Sequence, residues 1–201
     1  MQPGFAIRFL SLRFYKANLM SEKYKVKNPE GIYFITITVI DWVDLFTRPV
    51  YKHILIDSLE YCIKNKGLTV YAYVIMSNHM HLIVSTNENY ALEATIRDFK
   101  KFTSKKLIKA IEENPESRRE WLLKKFAFAS DRIKRGSKYK VWKDGFHPVE
   151  LSNREILEQK LNYIHENPVN EEIVINAEDY KYSSATNYTG GTGQLDIVLI
   201  E

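Results

Sequence analysis

The chain has 201 residues, of which 45% are hydrophobic and 27% are charged, and its formal net charge is +4. These values are ordinary for a folded globular protein of one domain, and they exclude a disordered chain, a collagen-like chain and a coiled-coil rod. No window approaches about 18 uninterrupted apolar residues, which excludes a transmembrane helix. The single cysteine, Cys62, excludes a disulfide framework and a cysteine-rich zinc site, and it fits a reducing compartment.

The first 19 residues combine apolar and basic side chains. Arg8 and Arg13 interrupt the apolar run, and no small-residue cleavage site follows, so the segment is unlike a signal peptide. Met20 opens a stretch that looks like an independent start. We therefore expect residues 1–19 to be a peripheral N-terminal extension and residues 20–201 to form the domain.

Three strands and one helix are predicted in the first half of the domain. The near-continuous apolar run Ile32–Ile40 predicts a buried central strand. Apolar residues at helical spacing within Val50–Lys66 predict a helix that ends at Gly67. Strands follow at Leu68–Met76 and at about His79–Ser85, and the two-residue polar break between them predicts an antiparallel hairpin.

The second half is predicted to contain two basic helices, a short strand and a late helix. The basic helices span about Ala91–Ile111 and Glu116–Ala129, with an Asn-Pro break between them. A short strand is expected at Tyr139–Trp142. The late helix begins after a polar cap near Asn153 and ends at about Glu166, where a second Asn-Pro pair follows.

The predicted element order is strand, helix, strand, strand, helix, with further helix and strand afterwards. An antiparallel sheet with helices packed on one face is the economical packing of this order. The sequence therefore predicts an α+β fold of the ferredoxin-like type.

Charge is distributed unevenly along the chain. Residues 97–143 carry 16 Lys and Arg against 6 Asp and Glu, a net of +10, whereas the remainder carries a net of −6. A basic segment in an otherwise acidic chain indicates a polyanionic partner such as nucleic acid. The alternative is a solvated helical face with local ion pairs.

Two groups of residues could carry chemistry. His79 and His81 alternate on a predicted strand, so they share a face and could bind a divalent metal; two ordinary surface histidines are the alternative. Tyr163 and Asn167 are one turn apart on the late helix, where a phenol could act as nucleophile and an amide as metal ligand. A core tyrosine followed by a helix-ending asparagine is the alternative there.

Three motifs occur in order along the chain: SNHMHLIV at the third strand, YIHENPV on the late helix and EDYKYSSATNY after it. GIYFITITV at the first strand and RDFKKFTSKKL on the basic helix accompany them. Together they resemble the REP-associated tyrosine transposases, relatives of the IS200-type single-tyrosine HUH transposases. The resemblance extends over about residues 24–200.

This resemblance implies a ferredoxin-like fold and a metal-dependent single-strand DNA endonuclease and strand-transferase that acts at DNA hairpins. It implies that His79 and His81 hold Mg²⁺ or Mn²⁺, that Tyr163 is the nucleophile and that Asn167 completes the metal site. Cleavage would form a 5′-phosphotyrosine and leave a 3′-hydroxyl that later rejoins the strand. Such a protein would work in the bacterial cytoplasm with the nucleoid, as a monomer or homodimer, and without a membrane.

The basic segment would supply the DNA contacts. A phosphate track on the first basic helix and a basic loop that closes on a hairpin would include Lys100, Lys101, Lys105, Lys106, Arg132, Lys134, Arg135 and Lys138. Phe126, Phe128 and Tyr139 are candidate surfaces for unpaired bases, with core packing as the alternative for the two phenylalanines. His165 lies on a different helix face from Tyr163 and is expected to be structural or a DNA contact.

One stretch departs from the family pattern. After NPV the family often has a small residue and a glycine, where this chain has Asn170-Glu171-Glu172-Ile173. We expect this acidic pair to alter the exit from the helix without touching the matched catalytic positions. Two other functions stay open: a hairpin-DNA-binding protein of the same fold that is catalytically inactive, and a metal-dependent hydrolase with an activated water.

Overall fold

The computed structural model describes residues 26–132 and 136–200. Its strands are β1 (Tyr33–Thr38), β2 (Leu68–Ile75), β3 (His79–Thr86) and β4 (Val149–Glu150). Its α-helices are α1 (Pro49–Asn65), α2 (Leu92–Glu113), α3 (Arg119–Asp131), α4 (Arg154–Asn170) and α5 (Ala185–Tyr188). The expected N-terminal extension, residues 1–19, lies outside the described residues, and so do Lys134 and Arg135.

The strands form one antiparallel sheet in the spatial order β2-β3-β1-β4. β1 and β2 are both antiparallel to β3, so α1 is a crossover between two parallel strands. β3 and β4 are likewise both antiparallel to β1, and α2 and α3 lie in the connection between them. Crossovers of the preferred right hand place α1 and α2 on the same face, and these two helices do pack on each other. The predicted α+β class with ferredoxin-like order is confirmed.

The register of β1 and β3 decides which side chains share a face. Thr36 is opposite His81, and Thr38 is opposite His79, so these four side chains lie together while Met80 points to the other face. All residues of β3 after His79 are buried, which means that both faces of this strand are covered. α4 provides cover on the histidine face, where Tyr163 contacts His81.

The core combines β1, β3 and α1. Ile35 and Ile37 of β1, Met80 of β3, and Leu55 and Leu59 of α1 all have exposures of 0%. The apolar run of β1 therefore forms the buried central strand that it predicted. No helix within the described ranges is long and apolar enough to cross a membrane.

The strand expected at Tyr139–Trp142 does not form as a regular strand. Trp142 makes only an isolated bridge with Val39, and regular pairing on this side of β1 occurs further along the chain, in β4. The loop between Trp142 and β4 runs alongside β1 and is joined to it by single backbone hydrogen bonds. Positive φ values at Gly145 (73°) and His147 (47°) interrupt the extended backbone that a continuous ladder needs.

The outer edge of β2 is covered by the C-terminal part of the chain. Ser183 forms an antiparallel bridge with Val74. Further along, the amide of Val198 donates to the carbonyl of Val70 at 3.0 Å. The C-terminal stretch around Val198 thus lies along a strand edge that would otherwise be open to pairing with another chain.

α4 continues beyond its expected end. The sequence predicted an end at about Glu166, but the helix runs through Pro168 to Asn170. Proline lacks an N–H, so it removes the usual partner of the carbonyl four residues earlier, that of Ile164. The next turn still closes, because the amide of Glu171 donates to the Asn167 carbonyl at 3.1 Å. The prediction was wrong because one missing hydrogen bond in the last turn does not end this helix.

Candidate active site

Two histidines stand side by side at the start of β3. The ring centroids of His79 and His81 are 4.7 Å apart, with the ring planes at 72°. His81 is only 5% exposed, and His79 is half-buried. The alternation of side chains along a strand brings the two imidazoles to one face, as their spacing in the sequence predicted.

Each imidazole is oriented by a hydrogen bond at Nδ1. His79 Nδ1 lies 2.8 Å from the amide oxygen of Asn78, and His81 Nδ1 lies 2.9 Å from Thr36 Oγ1. Because an amide oxygen only accepts, His79 donates from Nδ1 and its Nε2 keeps a lone pair. Phe34 stacks on the His81 ring with a centroid distance of 5.2 Å. Such support at Nδ1 is typical of histidines that bind a metal through Nε2.

Burial lowers the pKa of both imidazoles. The pKa of His81 falls to about 3 because the ring is buried, with smaller contributions from the neighbouring His79 and Lys160. Burial also lowers the pKa of His79, and the nearby carboxylate of Glu171 opposes that shift. Both rings are therefore neutral near pH 7, and the neutral imidazole is the form that binds a cation.

Tyr163 of α4 reaches the same place. Its Oη lies 3.5 Å from His81 Nε2, and the two rings meet edge to face at 5.2 Å. Phe34 packs edge-on against Tyr163 at 5.9 Å, so one phenylalanine supports both rings. Tyr163 nevertheless remains 43% exposed. A phenol next to a buried imidazole is thus accessible to a substrate.

Asn167 lies one helical turn after Tyr163 on α4. It is 8% exposed, so only a small part of its side chain reaches solvent. No three His, Cys, Asp or Glu side chains form a metal-binding group in residues 26–132 and 136–200. Two neutral imidazoles and an amide oxygen, an atom type that Mg²⁺ and Mn²⁺ favour, are donors that a divalent cation accepts, and their assignment as one ligand set stays a prediction.

A model of the family described as "Transposase IS200 like" matches residues 30–167. The chain belongs to the IS200-like transposase family. The matched range contains His79, His81, Tyr163 and Asn167.

Among solved structures, the chain is similar to one described as "Structure of the REP associates tyrosine transposase bound to a REP hairpin". The TM-score is 0.55 and the identity 16%, over 88% of this chain and 93% of the other. At this level of identity the likeness shows a shared fold. Comparison with curated protein sequences found no match.

Two charged residues near the site of this IS200-like chain were not selected from the sequence. Lys160 Nζ lies 4.9 Å from the ring centroid of Phe34 and 5.5 Å from that of Tyr163. Its position three residues before Tyr163 puts both on one helix face, and this spacing could have identified it. Glu171 acts electrostatically on His79. The expectation that the acidic pair does not touch the matched positions stays a prediction, although the charge of Glu171 acts on His79 through space.

Lys100 is engaged in holding a loop. Its ammonium group donates to the carbonyls of Lys143 at 2.7 Å and Gly145 at 2.6 Å. Burial lowers its pKa to about 8, the nearby Asp144 opposing the shift. These hydrogen bonds fasten the loop before β4, which runs alongside β1. A phosphate contact would compete with them, so the DNA-binding role of Lys100 stays a prediction.

The other predicted lysines of α2 do not form a single row. Lys101 and Lys105 are exposed and four residues apart, so they lie on one face. Lys106 lies over the Phe102 ring at 5.5 Å, on the side of α2 that borders a cavity against α1. Lys101 and Lys105 are therefore the pair best placed to follow a phosphate backbone together, and all three DNA contacts remain predictions.

Two cations of the predicted basic loop are described. Arg132 Nη2 lies 2.8 Å from both carboxylate oxygens of Asp41. Lys138 is exposed, with its ammonium group 5.0 Å from the centroid of the Tyr139 ring. Arg132 is thus partly neutralised by Asp41, whereas Lys138 extends toward solvent. The DNA-binding roles of both stay predictions.

Three side chains with alternative interpretations now have definite environments. Phe126 is 0% exposed and belongs to the core, whereas Phe128 is 60% exposed, so core packing is confirmed for the first and wrong for the second. His165 Nε2 lies 2.9 Å from Ser184 Oγ. Ser184 in turn is hydrogen-bonded to the backbone of Tyr73 in β2. His165 therefore ties α4 to the segment that covers the β2 edge, which supports its structural interpretation.

Proposed function

We propose that the protein is a metal-dependent single-strand DNA endonuclease and strand-transferase that acts at DNA hairpins. The observation that carries this proposal is the 3.5 Å approach of Tyr163 Oη to His81 Nε2 within one chain. A structural tyrosine usually buries its ring and bonds its hydroxyl to protein, whereas Tyr163 is 43% exposed beside a candidate metal ligand. Family membership, and a structural relative described as bound to a REP hairpin, support the same function.

The proposed reaction consists of two transesterifications. In the first, Tyr163 Oη attacks phosphorus, a bond forms between them, and the bond from phosphorus to the 3′ oxygen breaks. The phenolic proton is lost to solvent, and the departing 3′ oxygen gains a proton to become a hydroxyl. In the second, a 3′-hydroxyl attacks the phosphotyrosine, and the phenol leaves with a proton. Each step exchanges one ester bond for another, so no oxidant or nucleotide is needed.

The ligands of the cation would be His79, His81 and Asn167. When bound, Mg²⁺ or Mn²⁺ would neutralise the non-bridging phosphate oxygens and polarise phosphorus. Asn78 and Thr36 hold the two imidazoles by Nδ1, so each Nε2 can turn to the cation, with Tyr163 Oη 3.5 Å from that of His81. Lys160 adds a positive charge beside Tyr163, where it would stabilise the phenolate and the attacked phosphate.

A covalent adduct tests the proposal most directly. The substrate is a hairpin labelled at its 3′ end. Attack by the tyrosine leaves the labelled fragment bonded to the protein through its 5′-phosphate, so the label should move onto the protein in the presence of Mg²⁺ or Mn²⁺. The inactive alternative, a protein that only binds hairpins, would bind the substrate without forming an adduct. A hydrolase with an activated water would cleave without one.

Hairpin binding through the basic segment has its own test. Replacing Lys101 and Lys105 with Gln should lower the slope of log affinity against log salt by about one for each lost phosphate contact. Lys64→Gln on α1 is the control, because Lys64 is paired with Glu60 at 2.6 Å. An unchanged slope in the double variant would place the DNA elsewhere.

We further propose that the site acts in cis, because Tyr163 and His81 meet within one chain. A mixture of His81→Ala and Tyr163→Phe chains should then stay inactive. Recovery of cleavage in the mixture would show that one subunit of a dimer supplies the tyrosine to the other.

We assign this function to residues 20–201, with residues 1–19 as a peripheral extension whose deletion should leave cleavage unchanged. A DNA substrate would place the protein with the nucleoid in the bacterial cytoplasm. Fractionation of cells with the bound nucleoid, before and after nuclease treatment, tests that location.

A further inference from the structure

A tryptophan stands exposed beside the candidate metal ligands. Trp42 follows β1 in the turn Ile40–Trp42 and is 57% exposed. Its ring meets His79 edge to face, with the centroids 5.9 Å apart at 71°. The other half of its surroundings is solvent, so core packing does not account for this indole. A large flat aromatic surface is therefore presented next to the site where the phosphate would be attacked.

The backbone that presents this indole is strained. Asp41 has φ 53° and Trp42 has φ 56°, in the left-handed region. Asp tolerates that region, but a bulky residue such as Trp rarely adopts it. Strained conformations of this kind persist where surrounding contacts enforce them, and they concentrate at functional sites. Two consecutive residues with positive φ beside His79 thus point to a use for the indole.

The contacts that enforce the turn connect it to the site. Arg132 donates to both carboxylate oxygens of Asp41 at 2.8 Å. The amide nitrogen of Asn78 donates to the Trp42 carbonyl at 3.4 Å, while the oxygen of the same amide accepts from His79 Nδ1 at 2.8 Å. One asparagine therefore holds both the indole-bearing turn and a candidate metal ligand, which sets the position of the indole relative to the ligand.

We propose that Trp42 is the stacking platform for an unpaired base next to the cleaved phosphodiester. This inference rests on the proposed function, since it requires single-stranded DNA at His79 and His81. Bases stack on exposed aromatic rings whatever their identity, because every base has a π-face. With the phosphate held at the histidines, a base stacked on Trp42 would position the phosphodiester for attack. Arg132 would act as a positioning residue that holds the turn.

Binding measurements in the Tyr163→Phe background test this platform, because the substrate then stays uncleaved. The substrate is a DNA hairpin with a single-stranded extension, compared with the same hairpin without the extension. Trp42→Ala should weaken binding of the extended hairpin by about tenfold, leave the bare hairpin unaffected and keep the salt slope. Trp42→Phe should retain most of the affinity. Trp121→Ala is the control, since Trp121 is a similarly exposed tryptophan, 47%, on α3.

Abasic positions in the extension locate the stacked base. Removal of one base next to the cleavage site should weaken binding of the DNA to the parent chain, which keeps Trp42, by about tenfold. In Trp42→Ala the same removal should cause no further loss of affinity. If Trp42→Ala binds the extended hairpin as tightly as its parent, or weakens both hairpins equally, the inference is wrong while the proposed function stands. If the parent chain binds neither hairpin, the proposed function fails, and the platform fails with it.

Discussion

The tyrosine of α4 and the tyrosines of the C-terminal segment occupy opposite environments. Tyr163 is 43% exposed, and its hydroxyl lies 3.5 Å from His81 Nε2. Tyr180 is 6% exposed, donates to the Ile75 carbonyl at 2.8 Å and accepts from Lys52 Nζ at 2.9 Å. Burial raises the pKa of Tyr180 to about 12. A tyrosine whose hydroxyl holds a strand edge in place is unavailable for attack. Tyr180 therefore has a structural role, whereas Tyr163 is available for the proposed attack.

Replacing Tyr163 or Tyr180 with Phe removes one hydroxyl in each case. These two variants should show the largest difference in cleavage rate of all those considered. Tyr163→Phe should lower hairpin cleavage by at least about a thousandfold, because the proposed nucleophile is lost. Tyr180→Phe should leave cleavage almost unchanged and lower the free energy of unfolding by about 1 kcal/mol, because it loses structural hydrogen bonds. Single-turnover cleavage and urea denaturation of both variants measure the contrast. A labelled adduct of full yield in Tyr163→Phe would show that another residue attacks.

The histidines offer a second contrast. His81→Ala should abolish cleavage that depends on Mg²⁺ or Mn²⁺ while hairpin binding survives, because the imidazole is proposed to bind the metal and not the DNA. His165→Ala should keep cation binding and reduce stability, because His165 bonds to Ser184. Calorimetric titration of the two variants with Mn²⁺ distinguishes them. Full metal-dependent activity in a His79→Ala, His81→Ala chain would remove both residues from the site.

Lys160 allows a test of the electrostatics around Tyr163. Lys160→Met should slow the single-turnover cleavage rate by about tenfold, because a positive charge beside the phenolate and phosphate is lost. Lys160→Arg keeps the charge and should recover most of the rate. Equal rates in the Met variant and the parent would show that the charge contributes nothing to the attack.

Burial also raises the pKa of Tyr51 and of Tyr73 to about 12, so alkaline unfolding reports on several buried tyrosines, and Tyr180→Phe isolates the contribution of one of them. The pKa of Tyr180 is about 12 in the folded chain and about 10 in an unfolded one. The stability that the protonated phenol contributes is therefore present below pH 10 and lost as the pH rises from 10 to 12. Tyr180→Phe should make the loss of stability over this range shallower. Urea denaturation at a series of pH values measures it, and an unchanged dependence would contradict the burial of this hydroxyl.

The smallest expected effect lies at the end of α4. Glu172 has φ 55°, a value that favours glycine after a helix. Glu172→Gly should raise the free energy of unfolding by about 1 kcal/mol. Glu171→Gly is the matched control, since Glu171 has φ −88° and gains nothing from glycine. Glu172 stands where the family often has glycine. If both variants were destabilised equally in urea, the glutamate at this position would not be strained.

Much of the fold could be predicted because it depends on local periodicity. The apolar run of β1, the polar break before His79 and the helical spacing in α1 each specify an element from adjacent residues. The alternation of a strand also put His79 and His81 on one face. Predictions failed where a local rule did not decide the outcome. Pro168 lies inside α4, and the expected strand at Tyr139–Trp142 gave way to β4.

The sequence by itself determined the ferredoxin-like order and the separate motifs, whereas the tertiary structure decided how they meet. Tyr163 and His81 are 82 residues apart, and only the docking of α4 on the histidine face brings their atoms to 3.5 Å. The same packing places Lys160 beside Tyr163, and the turn after β1 places Trp42 beside His79. Periodicity specifies which face of an element a residue occupies, but contacts between elements depend on side-chain packing and backbone geometry across the whole core.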